Sequence, residues 1–288
     1  MDILNLFIQT IVLRPYVFVF LALFLLAATH LIGWPRTWRF WMISWATALL
    51  CEFMSTRTGI PFGWYHYNGS TVGQELYIGD IPFMSSLSFS FLLFAAYSTA
   101  LCLLLPEDRS SARPRSPLVQ LTFGPSSRSS LPLLILTSLL FALIDMVVDP
   151  VALRGDRWFL GGIYYYDHPG IHFGVPFTNY LGWMVVGLIA LSIYFFIDRR
   201  LAPQPAHTGR STTRRLLLGV VLYYLVLAFT LSVSFWIGEW YIGIISALMY
   251  LPITAWLGLR LTGHLSPFTL FVVDRSTNES GNQTRDFV

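Results

Sequence analysis

Residues 131–149 read LPLLILTSLLFALIDMVVD, and this stretch decides the class of fold. It is apolar over nearly its whole length, and a helix of about 20 such residues crosses the hydrocarbon core of a bilayer. Two acids, Asp145 and Asp149, lie near its end. We therefore predict a transmembrane helix with ionisable side chains at membrane depth, where such groups usually mark functional sites.

The rest of the chain has the same character. Of its 288 residues, 55% are hydrophobic and only 11% are charged, whereas soluble domains carry roughly a quarter charged residues. We predict an all-α fold, a polytopic transmembrane helix bundle with about seven spans. It forms one domain over residues 1–275, followed by a flexible tail over 276–288, and residues 3–13 form a short apolar segment at the interface. The seven candidate spans are 16–33, 38–55, 83–105, 131–149, 180–197, 216–236 and 241–261.

The arginines predict the orientation. All 18 basic residues are arginines, and 14 of them lie on the side of the 33–38, 106–130 and 198–215 connections and the C-terminus. Since basic residues favour the cytoplasmic side, we predict a multi-pass protein of the plasma membrane with its N-terminus outside and its C-terminus in the cytoplasm. The four remaining arginines, on the non-cytoplasmic side, are Arg14, Arg57, Arg154 and Arg157.

The connections on the two sides differ in composition. Residues 106–130 and 202–214 are rich in Ser, Pro, Thr and Arg, which predicts flexible cytoplasmic linkers. The net charge of +3 is small, so we expect no nucleic-acid partner. Cys51 and Cys102 would end on opposite membrane faces, too far apart for a disulfide, so both are expected to be buried free thiols.

Two long connections on the non-cytoplasmic face, 56–81 and 150–179, are rich in aromatic residues and glycine. Solvated linkers do not have this composition, so we predict partly re-entrant segments that roof a cavity. Aromatic faces stabilise cations, and these connections, with the start of the span that follows the second, supply the candidate substrate-binding residues. They are Trp64, Tyr65, Trp158, Tyr165, Asn179 and Trp183.

The two connections also resemble each other weakly. Each follows a helix that ends near an acid, Glu52 in one case and Asp149 in the other. Each ends in a glycine followed within a few residues by Pro-Phe, at Gly79-Asp-Ile-Pro-Phe83 and Gly174-Val-Pro-Phe177. Either an ancient parallel duplication or convergent helix-start chemistry explains this echo.

The candidate catalytic residues are the acids Asp145, Asp149, Glu52 and Asp80. Asp145 and Asp149 are four residues apart and so share one helix face. Two anions there repel each other, and at least one should hold its proton near neutral pH. The alternative is a purely structural pair, bonded to neighbouring helices or to Arg154 and Arg157. Glu239 lies in a tight turn, where we expect a solvated acid.

Metal and cofactor motifs are sparse. His168-Pro-Gly-Ile-His172 has histidine-box spacing, but proline and glycine oppose a helix there. Asp145 and Asp149 resemble one aspartate motif of membrane prenyltransferases, which bind magnesium, but the second motif of that family is missing. There is also no phosphate loop, no Gly-x-Gly-x-x-Gly and no Gly-x-Ser-x-Gly. We expect no metal, nucleotide or flavin cofactor.

Several motifs together resemble the integral-membrane carotenoid 1,2-hydratases of the CruF type, part of a wider family of carotenoid-biosynthesis membrane proteins. The likeness extends from about residue 40 to 260, and its last motif is the most specific; before that motif, Trp158 and Ile163-Tyr164 match the family only loosely. The motifs are the Glu52 helix, Thr58-Gly-Ile-Pro-Phe-Gly-Trp-Tyr65, Gly79-Asp-Ile-Pro82, Asp145-x-x-x-Asp149-Pro150 and Gly174-Val-Pro-Phe-Thr-Asn-Tyr-Leu-Gly-Trp183.

The resemblance implies addition of water across the terminal double bond of an acyclic carotenoid, of the lycopene or γ-carotene type, without a cofactor. Asp145 or Asp149 would be the acid, Glu52 or Asp80 would orient the water, and Asn179 would hold it. The implied partners are the hydrophobic carotenoid, membrane lipid and other enzymes of the carotenoid pathway. Three rivals remain: a carotenoid cyclase, a membrane isoprenoid transferase, and a non-catalytic lipid or carotenoid transporter or scaffold.

Overall fold

The computed structural model describes residues 2–107, 118–124, 126–201 and 209–266. The tail predicted over 276–288 and the linker 202–208 lie outside these residues. Within them the chain forms eight α-helices: α1 (Ile3–Leu13), α2 (Pro15–Ile32), α3 (Trp34–Thr58), α4 (Phe83–Leu104), α5 (Leu131–Ala152), α6 (Phe177–Asp198), α7 (Arg210–Trp236) and α8 (Trp240–Leu261). Four short strands accompany them: β1 (Tyr65–Tyr67), β2 (Tyr77–Ile78), β3 (Ile81–Pro82) and β4 (Tyr164–Tyr166).

Six helices, α2 and α4 to α8, are long and apolar enough to cross a membrane. The seventh long helix, α3, has 25 residues and a length of about 37 Å at 1.5 Å per residue. It is the least apolar of the seven because it carries charged residues at both ends, with Arg36 and Arg39 at its start and Glu52 and Arg57 near its finish. The structure therefore confirms an all-α polytopic membrane bundle.

Proline and glycine set several helix boundaries. Pro15 and Pro132 lie in the first turns of α2 and α5, where a missing N–H costs nothing. The side chain of Ser130 accepts a hydrogen bond from the Leu133 amide and so caps α5. Gly59 ends α3 with a left-handed backbone, φ 73°, which glycine adopts without a steric penalty.

Helix α4 is the centre of the bundle, buried along nearly all its length. It packs against α3, α5 and α7, while α6 packs against α3 and α5. Cys51 and Cys102 are buried and free, as predicted.

Both predicted linkers are ordered in part, and residues 210–214, expected to be flexible, form the start of α7. Residues 118–124 were expected to be flexible, but Leu121 and Phe123 are buried. The amide of Val119 donates to the Leu261 carbonyl oxygen (2.9 Å), and the amide of Leu121 donates to Oγ1 of Thr213 (3.0 Å). The prediction was wrong for this segment because its apolar residues, too few to show a period, pack against α7 and α8.

The side of the bundle that holds the 59–82 and 153–176 connections is called the loop face below. There β1 pairs antiparallel with β4, so the two long connections bond directly to each other. The register of the pairing is Tyr65↔Tyr166, His66↔Tyr165 and Tyr67↔Tyr164.

A buried arginine fastens α1 and α2 to both connections. Arg14 lies between the two helices and is fully buried. Its guanidinium donates to Glu75 in the first connection (2.8 Å) and to the carbonyl oxygens of Phe159 and Leu160 in the second (3.2 and 2.5 Å). Because a buried charge requires a partner, this pairing fixes the positions of both connections over the helices.

Candidate functional site

A largely apolar cavity lies beneath the paired strands β1 and β4. It encloses about 1070 Å³, counted out to its open side. Its walls come from α2 to α7 and from the two connections. Three acids line it: Glu52 of α3 and the pair Asp145 and Asp149 of α5. All three side chains are buried, although buried acids are rare unless they are paired.

The aspartate pair is bridged by an amide from the next helix. Asn179, in the first turn of α6, donates to Oδ2 of Asp145 (2.6 Å) and to Oδ2 of Asp149 (3.2 Å). Both aspartates face the cavity one helical turn apart, as their spacing predicted. Neither contacts Arg154 or Arg157, because those side chains pair with Glu239. Glu239 was expected to be simply solvated, and this pairing corrects that expectation.

The two aspartates differ in their hydrogen bonds. Asp149 accepts three: from the hydroxyls of Tyr164 and Tyr166 and from the Asn179 amide. Donors of this kind favour the ionised carboxylate. Asp145 accepts only from Asn179, and its Oδ1 is buried without a hydrogen-bond partner among the residues that the structure describes. If the pair holds one proton, these hydrogen bonds favour its location on Asp145.

The tyrosines on Asp149 act as donors. Burial raises the pKa of both Tyr164 and Tyr166 well above the usual tyrosine value, and the nearby charge of Asp149 raises it further. Both phenols therefore keep their protons at neutral pH and hold Asp149 in place.

Glu52 forms a second polar group in the same cavity. Its Oε1 accepts from the Tyr67 hydroxyl (2.8 Å) and from Oγ of Ser85 (2.6 Å). Its Oε2 is buried and has no partner in the described part of the chain. The cavity thus presents two carboxyl groups, each with one oxygen unused by the protein.

The two polar groups are related by an approximate twofold axis. A twofold axis through the pair His66↔Tyr165 exchanges the two antiparallel strands. Because the axis preserves chain direction, the residue after His66 is brought onto the residue after Tyr165, so Tyr67 matches Tyr166. Each of these two tyrosines donates to the acid of its own half, Glu52 or Asp149.

The same relation holds on the helices that follow. Ser85 and Asn179 each lie two residues after the phenylalanine of a Pro-Phe pair, and each donates to the acid of its half, Glu52 or Asp149. Phe89 and Trp183 each lie six residues after that phenylalanine, and their rings stack on each other at 4.1 Å and 13°. The echo in the sequence therefore corresponds to two similar halves that meet at one cavity.

Several predicted residues line this cavity. Tyr65, Trp158, Asn179 and Trp183 do so together with the three acids. Trp158 also donates from its indole N–H to the carbonyl oxygen of Val151 (3.0 Å), which fixes the second connection to the end of α5.

Three predicted residues lie elsewhere. Trp64 and Tyr165, both predicted to bind substrate, are 46% and 51% exposed and are not in the cavity wall. Neighbouring side chains of a strand point to opposite faces, so Tyr165 points outward, beside His66. Asp80 is outside as well and is paired with Arg57 at 2.8 Å. Burial alone would raise the pKa of Asp80, but hydrogen bonds, chiefly from Arg57, lower it overall.

Sequence reasoning did not select four residues that bind or face the acids. Tyr67, Tyr164 and Tyr166 donate to the acids. Two of these, Tyr164 and Tyr166, flank Tyr165 on β4, and because side chains alternate along a strand they point to the opposite face from Tyr165. Ser85 could have been found from its position, since it matches Asn179 in the echo. Among the described residues, no group of three or more His, Cys, Asp or Glu side chains is placed to hold a metal ion.

Comparison with known proteins places the chain in a family. No solved structure matches the chain. A bisanhydrobacterioruberin hydratase of Haloarcula japonica is 30% identical over 145 residues, which is 50% of this chain and 40% of that relative. The match thus spans well under two thirds of the relative's length. A model of a family described as carotenoid biosynthesis protein matches residues 12–253. Because that match covers most of the chain, the protein belongs to the carotenoid biosynthesis protein family.

Proposed function

We propose that this protein is a carotenoid 1,2-hydratase, a cofactor-independent hydro-lyase. It adds water to the terminal double bond of an acyclic carotenoid end group of the lycopene or γ-carotene type, and the product is a tertiary alcohol. The proposal is carried by the apolar cavity lined by Asp145 and Glu52, each of which has a buried carboxyl oxygen without a hydrogen-bond partner in the described part of the chain. The hydratase named among its relatives supports the same reaction class.

In the first step Asp145 is the general acid. Its Oδ1–H bond breaks, the proton joins the less substituted alkene carbon, and the π electrons form the new C–H bond. The positive charge then lies on the tertiary carbon with its two methyl groups. General acid catalysis by a placed group contributes roughly 10²–10⁴ in rate.

The cation is stabilised by groups that are already oriented. Asp149, ionised and held by three donors, lies one helical turn from the acid. The ring faces of Tyr65 and Trp183 also line the cavity, and aromatic faces attract cations. Groups fixed before the reaction need no reorganisation when the charge appears.

In the second step water attacks the cation, and Glu52 is the base. A new C–O bond forms. The attacking water keeps one proton, as the alcohol O–H, and gives the other to Oε2 of Glu52. Asp145 has then lost a proton and Glu52 has gained one, so transfer of a proton from Glu52 to Asp145 restores the site. The reaction consumes only the alkene and water, so we propose that it needs no cofactor.

Pigment analysis tests the proposal directly. A lycopene-producing host that expresses this chain should accumulate a pigment heavier by one water. An isomer of lycopene would indicate cyclisation, and an isoprenoid-extended product that requires magnesium would indicate a transferase. Unchanged pigment, despite normal expression and insertion, would support a transporter or scaffold.

We also propose that the loop face is the non-cytoplasmic face of the plasma membrane and that the N-terminus lies outside. The 14 arginines predicted for the opposite side support this orientation. Reporter fusions after residues 105 and 260 should both report the cytoplasm. A pair of fusions that report opposite sides would contradict this topology. Membrane lipid surrounds the bundle, and other enzymes of the carotenoid pathway are the proposed protein partners.

A further inference from the structure

Aromatic rings of α2 and α7 form part of the cavity wall. Tyr16 of α2 stacks on Phe229 of α7 with ring centroids 5.3 Å apart. Phe20, one turn further along α2, also contacts Phe229, at 5.7 Å. All three rings line the cavity. The line of contact between α2 and α7 is called the seam below, and these three rings at its cavity end are called the neck.

A second hollow lies further along the same seam. It encloses about 290 Å³, counted out to its open side, and the described residues that line it have aliphatic side chains. Those side chains are Leu23, Leu26, Ala27, Leu218, Val221, Leu222 and Leu225.

The hollow and the neck are in line. Helices α2 and α7 begin on opposite faces, so rising residue numbers on α2 meet falling numbers on α7. From Tyr16 in the neck to Ala27 in the hollow is eleven residues, or about 16 Å along a helix. Along the helix axes, the seam thus leads away from the loop face, toward the middle of the length of α2 and α7.

The seam also faces outward. Leu26 and Val221, which line the hollow, are 51% and 53% exposed. In a membrane-spanning bundle such surfaces meet the lipid chains. A hydrocarbon chain in the bilayer can therefore reach the hollow sideways, without passing through water.

We propose that the α2–α7 seam is the binding site for the polyene chain of the substrate, whose end group occupies the cavity. This inference rests on the proposed function, and it assigns the neck and the hollow to the part of the substrate that does not react. The occupant follows from position and chemistry: the hollow lies one turn beyond the cavity wall on the same two helices, and the side chains that line it are aliphatic. A long hydrocarbon held there keeps its terminal double bond beside Asp145.

The test uses substitutions that fill the hollow and leave every residue of the cavity wall unchanged. Leu26→Trp and Val221→Trp place a large ring in it, and both positions are exposed enough to accept one. Leu251→Trp on α8 is the matched control, since Leu251 is 59% exposed and lines neither the cavity nor the hollow. Purified variants are assayed with an acyclic carotenoid and with a short acyclic isoprenoid that has the same dimethyl-alkene end.

We expect the two seam variants to lose about tenfold or more in kcat/KM for the carotenoid, in the range found when an apolar pocket no longer fits its ligand. Their kcat/KM for the short isoprenoid and both values of the control should stay near those of the wild type. Equal losses on both substrates, or no loss on either, would overturn the proposal.

Retention of pigment separates this inference from the proposed function. Wild-type protein purified from a carotenoid-producing host should retain bound carotenoid, and the seam variants should lose it while the control keeps it. If that pattern appears without any hydration, the seam proposal stands and the hydratase proposal fails. If the wild type retains phospholipid and no carotenoid, or if all variants retain carotenoid equally, the seam proposal is wrong.

Discussion

The substitution Asp145→Asn removes the proposed proton and leaves the shape of the side chain almost unchanged. The Asn179 amide now donates to Oδ2 of Asp145, and the carbonyl oxygen of an asparagine can accept the same bond. The new NH₂ group then lies where Oδ1 is buried without a protein partner. One unsatisfied buried group costs about 1–3 kcal/mol, so the variant should fold and insert with a modest loss of stability.

The effect on the reaction should be far larger. An amide cannot protonate an alkene, and a placed general acid contributes roughly 10²–10⁴ in rate. We therefore expect hydration by Asp145→Asn to fall at least about 10²-fold, the lower end of that range. The assay is the rate of water addition to an acyclic carotenoid by purified protein in lipid vesicles. Thermal unfolding of the same samples should show the small loss of stability.

Asp156→Asn is the control for this experiment. Asp156 is exposed on the second connection and does not line the cavity, so its variant should keep the wild-type rate. If Asp145→Asn retains more than about a tenth of the wild-type hydration rate, the decrease in rate is too small for the loss of a general acid. The acid would then have to be sought at Asp149 or Glu52.

Three further predictions follow from the contacts of the site. Glu52→Gln removes the proposed base, and we expect the hydration rate to fall about 10²-fold or more with normal membrane insertion; an unchanged rate would exclude that role. Tyr166→Phe removes a donor to a charged acceptor, worth about 1.5–3 kcal/mol, so both thermal stability and rate should drop. Tyr165→Phe, the matched change on the outer side of the same strand, should change neither; equal effects of the two would contradict the strand orientation. Arg14→Ala leaves Glu75 buried without its partner and should cost roughly 3–5 kcal/mol in unfolding measurements, and an unchanged melting temperature would show that this pair does not hold the connections.

The helices were predictable because a bilayer leaves few alternatives. A run such as residues 131–149 is apolar enough to identify a span without any knowledge of its neighbours. Helix α3 was predicted as residues 38–55 but extends from Trp34 to Thr58. Its charged ends pair with partners far away in the sequence, for example Arg36 with Asp198, and hydropathy contains no information about such pairs.

The site was predictable only where local spacing determines geometry. The spacing of Asp145 and Asp149 placed both carboxyls on one face of a helix, because helical geometry is local. The pairing of β1 with β4 joins residues about a hundred positions apart, and three-residue strands carry no signal for their partner. Without that pairing, the inward and outward tyrosines could not be told apart, and Tyr165 was chosen over its two neighbours.

The twofold relation explains how one cavity can contain both an acid and a base. The two halves share a tyrosine and a polar side chain on each acid, Tyr67 with Ser85 on Glu52 and Tyr166 with Asn179 on Asp149.

The halves differ one helical turn before that acid. In the α5 half this position is Asp145, whereas in the α3 half, four residues before Glu52, it is the buried Ala48. Two adjacent carboxyls cannot both ionise easily, which is why we propose the α5 half as the proton donor. Glu52 has no such neighbour and accepts two donors on Oε1, which suits it to receive a proton from water. The aspartate that stands in the α5 half where the α3 half has alanine would thus give the proposed reaction its direction across the cavity, from Asp145 to the alkene and from water to Glu52.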